Sequence, residues 1–234
     1  MSIKSQRSRA ATALALGMAL TLLLAGTARA ATIEVNSSAD PADGSNCTLR
    51  QAIENAENDA QTNASCAAGT GDDTITFDGS LLGETITLDG NELLISPAPL
   101  HTGTLTIQGP GAASLEVSAA NASRVFHIAP TAVATANAVT IHGLTISNGS
   151  VANANGGGIL NEGSLSLDGD LVSGNTATGS FTGGTTNQVT VLGGGIESSG
   201  GRLTVTLSQI AGNSVSSAAA GGSTSNTALA RGAG

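Results

Sequence analysis

Two adjacent carboxylates, Asp72 and Asp73, lie in Gly69-Thr70-Gly71-Asp72-Asp73-Thr74-Ile75-Thr76. This stretch matches most of the calcium-binding nonapeptide G-G-x-G-x-D-x-U-x, with Ala68 in place of the first Gly. In that motif the ion lies between successive turns, so tandem copies supply the remaining oxygen ligands. Here there is one copy, and a Gly-Asp turn entering a strand is the favoured reading, with Asp72 and Asp73 as the calcium candidates. The acids Asp78, Glu84, Asp89, Glu92, Asp168 and Asp170 could serve acid/base cleavage of a polysaccharide only if they converged, with Arg or Lys beside them. Their spacing shows no convergence. Asp168-Gly169-Asp170, the tightest pair of the repeat region, is equally well a coil corner. His101, His127 and His142 stand in differing local settings and read as solvent-facing side chains, not a metal row. There is no Ser-His-Asp set, Gly-rich phosphate loop or H-E-x-x-H. The sequence therefore assigns no catalytic, cofactor-binding or metal residue, and no cofactor is expected.

Residues 1–30 have the form of a secretory signal peptide. Lys4, Arg7 and Arg9 are its basic start, Ala11 to Ala25 its apolar run and Ala28-Arg29-Ala30 its cleavage site. With that peptide removed, Lys4, Arg7, Arg9 and Arg29 go and no acid does, so the formal charge moves from −9 to −13. No Lys remains. A nucleic-acid partner needs basic side chains to displace counterions, so that class is excluded, and anionic lipid is disfavoured. No later segment is apolar enough to span a membrane. In an exported chain the only two cysteines, Cys47 and Cys66, are expected to form a disulfide.

The elements that must carry these residues are short. Thr32-Ile33-Glu34-Val35 reads as a strand, and Thr48 to Asn58 as a helix with Thr48 and Gln51 as its capping box. Leu49, Ala52, Ile53 and Ala56 make one apolar face of that helix, suited to covering the open end of a solenoid. Alternating triplets follow, among them Thr74-Ile75-Thr76, Thr85-Ile86-Thr87, Thr104-Leu105-Thr106, Ser164-Leu165-Ser166 and Thr204-Val205-Thr206. Each puts an aliphatic inward and hydroxyls outward. With Phe77, Phe126 and Phe181 as the only aromatics, burial must come from long rows of Ile, Leu and Val.

The stretch from Gly156-Gly157-Gly158-Ile159 to Ser173-Gly174-Asn175 recurs from Gly193-Gly194-Gly195-Ile196 to Ala211-Gly212-Asn213. Leu165 maps to Leu203 and Asn175 to Asn213, a 38-residue repeat. A third copy begins at Arg231-Gly232, so the chain is expected to be a fragment. Ile86, Leu105, Phe126, Ile146 and Leu165 follow one another at near-even intervals, which predicts about 20 residues per coil and two coils per repeat. Thr176 to Gln188 reads as a loop excursion. Asn148, Asn175 and Asn213 are expected at turns, where stacked amides can form a ladder.

Cys47-Thr48-Leu49-Arg50-Gln51-Ala52-Ile53 resembles the CSLREAI-type N-terminal motif of bacterial secreted β-helix proteins, with Thr48 and Gln51 where the motif has Ser and Glu. The Gly-Gly-Gly-Ile and Gly-Asn units are similar to polymorphic outer-membrane protein repeats. The resemblance spans residues 32–214 and implies an all-β fold, a right-handed parallel β-helix, at the cell surface or secreted. The expected organisation is a signal peptide (1–30), a cap with helix 48–58 (31–70) and a C-terminally truncated β-helix (71–234). The expected function is presentation of an acidic, Thr/Ser/Asn-rich surface for adhesion or other binding. Its partner, glycan or protein, is not named by the sequence. The alternative is a polysaccharide-active enzyme of the pectate-lyase-like or glycosidase kind.

Overall fold

The computed structural model describes residues 30–40, 44–96, 103–130, 138–182, 186–220 and 225–232. Residues 1–29, nearly all of the expected signal peptide, and His101 lie outside them. The chain is a parallel β-helix whose strands stack into separate, open sheets. The first wall has six strands: β1 (Thr32–Val35), β2 (Asp73–Phe77), β5 (Leu105–Gln108), β8 (Val139–His142), β12 (Ser164–Asp168) and β17 (Arg202–Thr206). The second has five: β3 (Glu84–Thr87), β6 (Leu115–Ser118), β9 (Thr145–Ser147), β13 (Leu171–Ser173) and β18 (Gln209–Ala211). The third has four: β4 (Leu93–Ile95), β7 (Phe126–Ile128), β11 (Ile159–Asn161) and β16 (Ile196–Ser198).

Period-two alternation sends one row of each strand inward. On the first wall Ile33, Ile75, Ile107, Ile141 and Leu167 stack in register, each wholly buried. On the second, Ile86, Val117, Ile146 and Val172 do the same. Each such side chain removed from water contributes roughly 1.5–3 kcal/mol, so rows of small aliphatics supply a core with almost no rings.

These registers correct the expected coil length. On the first wall Ile75 pairs with Ile107, Ile107 with Ile141, Ile141 with Leu167 and Leu167 with Val205, and every one of these steps exceeds the expected coil. Leu165 lies directly beside Leu203, so the 38-residue repeat is one coil, not two. The shorter spacing was an alias. Each coil has three walls, inward aliphatics recur at a fraction of a coil, and Ile86, Leu105 and Phe126 belong to three different walls.

The expected loop at 176–188 is also corrected. It is an excursion from the three walls, as expected, but one built of strands: β14 (Thr176–Thr182) pairs along its length with β19 (Ser214–Ala220), and β10 (Ser150–Ala152) flanks β14. Further along, β15 (Thr186–Leu192) pairs with β20 (Ser225–Arg231). A parallel ladder bonds backbone to backbone, so Thr-, Gly- and Ser-rich sequence joins it once a matching strand lies one coil away. β14 and β15 pack face to face so closely that a Cβ on Gly179 would lie 2.5 Å from Val191 Cγ2.

The N-terminal end is covered by α1 (Leu49–Glu57), which lies against β1, β2 and β4. Thr48 and Gln51 form its capping box, and Leu49, Ala52, Ile53 and Ala56 are its buried face. Cys47 and Cys66 are disulfide-bonded with Cα atoms 4.8 Å apart. Wholly buried Asn55 holds the intervening loop by donating to the carbonyls of Asn63 and Ala67 at 3.0 and 2.9 Å.

The three corner asparagines divide. Asn175 Nδ2 donates to Asn213 Oδ1 at 2.9 Å, and each amide also donates to a carbonyl of the preceding coil, Ile146 and Val172 respectively. Asn148 does not join this ladder. By register it stands beside Gly174, and like that Gly it is left-handed, with φ +52° against +67°. The ladder position of its coil belongs to Gly149, whose N–H donates to Asn175 Oδ1 at 2.7 Å. Asn148 is thus a turn residue, while Asn175 and Asn213 are ladder residues. Replacing Asn175 by Ala orphans buried backbone groups and should lower stability by about 2 kcal/mol or more, whereas Asn148→Gly should stay within about 1 kcal/mol. Urea denaturation of both variants checks this, and equal losses would contradict the division.

Candidate functional site

A polar cluster spans three coils on the third wall. Glu92 immediately precedes β4, His127 is the middle residue of β7, and Glu162 immediately follows β11. His127 Nδ1 is 3.0 Å from Glu92 Oε1 and its Nε2 is 2.8 Å from Glu162 Oε2. The second oxygen of Glu92 accepts from Arg124, whose Nε and second amino nitrogen donate to the carbonyls of Gly156 (2.8 Å) and Asn155 (2.9 Å). The Arg124 and His127 side chains are 9% and 20% exposed, while Glu92 and Glu162, at 31% and 37%, form the solvent side of the cluster. His127 faces outward between buried Phe126 and Ile128, as expected, but its ring is held between two carboxylates and is not free in solvent. Its two nitrogens point to opposite sides of the ring, so Glu92 and Glu162 cannot converge with it on one ion. What the arrangement can do is tie three coils together.

His142 is half exposed, with Nδ1 3.2 Å from Asp168 Oδ2. Strand register sets Gln108 beside His142 and Thr206 beside Asp168. Asp168 Oδ1 is buried without a hydrogen-bond partner among the described residues. Two positions on, Asp170 is 3% exposed and accepts from the N–H groups of Leu144 (2.8 Å) and Asp168 (3.0 Å) around left-handed Gly169. Burial pushes its carboxyl up to about 6, against the pull of those two N–H groups and of His142, with Asp168 adding to the rise. The Asp168–Asp170 pair is a coil corner.

Asp72 and Asp73 separate. Asp73 is 2% exposed and occupies an inward position, in register with Leu105, where it accepts from the N–H groups of Thr70 and Ala31. Asp72 reaches to the next coil and accepts from Thr104 N–H and Oγ1 at 2.8 and 3.0 Å. Asp78 caps the 3-10 turn Gly79–Leu81, and Asp89 lies 3.6 Å from Arg50. Glu84 begins β3 on the second wall and is exposed. Among the described residues no three His, Cys, Asp or Glu side chains are grouped to hold a metal ion.

Sequence reasoning missed Arg124 and Glu162, and Arg50 with Asp40. Arg50 donates from Nε and one amino group to both Asp40 oxygens (2.8 and 2.7 Å) and onward to the carbonyls of Glu92 and Asn91, fastening the cap to the first coil. A signal did exist: Glu92, His127 and Glu162 are each 35 residues apart, two more than the 33-residue coil that pairs Leu93 with Phe126 and Phe126 with Ile159 on this wall.

The walls between the corners carry neutral polar rows. Thr32, Thr74, Thr106, Thr140, Ser166 and Thr204 are paired strand to strand along the outer side of the first wall. At the spacing of neighbouring strands this sets one hydroxyl every ~4.8 Å. Thr87, Ser118, Ser147 and Ser173 form a shorter row on the second wall.

Arg124→Ala leaves the second oxygen of Glu92 and two carbonyls without that donor and should lower stability by about 2 kcal/mol. Lys at that position should not restore it, because a single ammonium cannot copy the guanidinium fork. Chemical denaturation of both variants reads this out. For Asp170 the folded carboxyl titrates near 6 and the unfolded one near 3.9. Its contribution is therefore present below about pH 4 and lost as pH rises through about 6, by at most ~3 kcal/mol. The stability of the parent chain relative to Asp170→Asn should fall over that window, and a flat difference would contradict the assignment.

No helix among the described residues is long and apolar enough to cross a membrane. Compared with known proteins, the chain matches no family model, no curated protein and no solved structure.

Proposed function

We propose that this chain is exported and works at the cell surface, or in secreted form, as a β-helix passenger that binds an extended partner along its outer walls without altering it chemically. The observation carrying this reading is the hydroxyl row of the first wall, six strands long and in unbroken register. Such a row offers repeated, equally spaced donors and acceptors, suited to a partner that is itself repetitive or extended, glycan or protein. The signal-peptide form of residues 1–30 supports export, and the resemblance of 47–53 to the CSLREAI motif supports the secreted β-helix class.

The disposition of the acids also favours display over polysaccharide cleavage. Asp72, Asp73, Asp78, Asp168 and Asp170 each engage a corner, and both nitrogens of His127 are occupied. Cleavage by paired carboxylates needs two of them facing one bond. The test is binding of the purified chain to a panel of polysaccharides and to whole cells, with chromatography of the polysaccharides afterwards. Binding should appear with no shortening of the polysaccharide. The double variant Thr106→Glu/Thr140→Glu should weaken it at least tenfold while leaving the circular dichroism unchanged. Shortened polysaccharide, or binding indifferent to the row, would sink the proposal.

A further inference from the structure

The junction between cap and solenoid holds a cavity of about 240 Å3, separate from the hydroxyl rows. Ile53 of α1 and Leu93 and Leu94 of β4 form its apolar sides, and Glu54 and Glu57 bring two carboxylates to it from successive turns of the helix. Leu94 is 46% exposed there, a large apolar side chain left facing solvent beside the opening. Arg50 also lines the cavity, but its guanidinium is committed to Asp40, Asp89 and two carbonyls. Glu54 accepts from Asn63 Nδ2 at 2.7 Å, and Glu57 accepts from the N–H of Ser96 at the cavity edge. Both carboxylates keep oxygen lone pairs beyond these bonds.

We propose that this cavity is a docking slot for a lysine side chain of a partner protein. A four-carbon stem with a terminal ammonium lays methylenes along an apolar wall while its charge seeks an anion. Ile53, Leu93 and Leu94 match the stem, and Glu54 and Glu57 match the head. Residues 5–234 hold no Lys, so a second copy of this segment does not supply the group, and we take the occupant to be a lysine of a different polypeptide. Burial holds the Glu57 carboxyl up at about 7, with Glu54 adding to the rise and the Ser96 N–H opposing it. The charged groups lining the cavity are Arg50, Glu54 and Glu57, all from α1; β4 and Ser96 contribute none. An arriving ammonium stabilises the ionised Glu57, so docking below neutral pH expels a proton.

The probe is Nα-acetyl-lysine N-methylamide, titrated calorimetrically into the whole chain at pH 6 in two buffers of different ionisation enthalpy. The expected result is binding with proton release, tighter at pH 8 than at pH 6. The same titration with the acetylated-ε-amine analogue, which keeps the stem and loses the charge, should show at least tenfold weaker binding. Glu57→Gln should abolish the proton release, and Leu94→Ser should weaken binding while the release per mole bound persists. Because either variant could perturb the cap, amide chemical shifts of α1 are compared with the parent's, and rescue by Glu57→Asp is required. Equal binding of both analogues, or none at millimolar probe, overturns the slot. It would leave the wall-binding reading untouched, since no residue of the hydroxyl rows lines this cavity.

Discussion

Everything in this solenoid depends on each strand returning in register onto the one a coil earlier, and in the last coils a buried amide ladder enforces that return. Asn175 and Asn213 share a hydrogen bond and reach back to carbonyls of the coils before them. The space for each amide is made by the Gly triplet of its own repeat. A Cβ on Gly158 would stand 2.8 Å from the Asn175 amide, and one on Gly195 2.7 Å from that of Asn213. The two halves of the repeated motif therefore meet in space. Gly without Asn would leave a void, and Asn without Gly would not fit. A buried amide with all its partners fixes one register, since a slipped strand would orphan it at a cost of about 1–3 kcal/mol per group.

Register survives although the coils differ in length: the step from Ile141 to Leu167 is much shorter than the one from Leu167 to Val205. The extra residues of the last coils lie at the corner between the second and third walls, where β14 with β19 and β15 with β20 form ladders of their own. An insertion that pairs with the same insertion one coil later satisfies its own backbone groups. The left-handed Gly at the far side of this excursion also stacks: Gly156, Gly193 and Gly232 have φ of +67°, +64° and +73°. The chain can lengthen a corner without disturbing the walls that carry the outer rows.

This explains which features were legible in the sequence. The helix, its capping box and the Cys47–Cys66 bridge depend on near neighbours along the chain, and local chemistry marks them. The alternating triplets marked strands and their inward faces for the same reason. Coil length is not local. Three walls of similar width make inward aliphatics recur at a fraction of the coil, and Ile86, Leu105 and Phe126 gave a regular spacing that belongs to no single stack. With the wrong period, the even interval of Glu92, His127 and Glu162 had no meaning. With the observed 33-residue step of this wall, it sets the three side chains on successive coils, two positions off register, where they can touch. The strand at Thr176 was hidden because Thr-Ala-Thr-Gly-Ser carries no large inward side chain; its evidence lay one coil further on, in Ser214–Ala220.

The same geometry assigns different work to charge and to hydroxyl. At a corner the ladder stops, and N–H groups lose their strand partners. Asp72, Asp73, Asp78 and Asp170 each accept from such groups. A carboxylate does this better than a neutral acceptor, because charge-assisted bonds are shorter and stronger. With no Lys after Lys4 and with Arg50 and Arg124 held in the body, backbone donors take the place of salt-bridge partners for these acids. Four of the acids are thereby used at corners, while one outer row of the first wall carries Thr and Ser in register, beside a second outer row that holds Glu34, His142 and Asp168. At these four positions acidity is a requirement of turning corners, and the Thr and Ser row of the first wall, which has no corner to hold, is neutral.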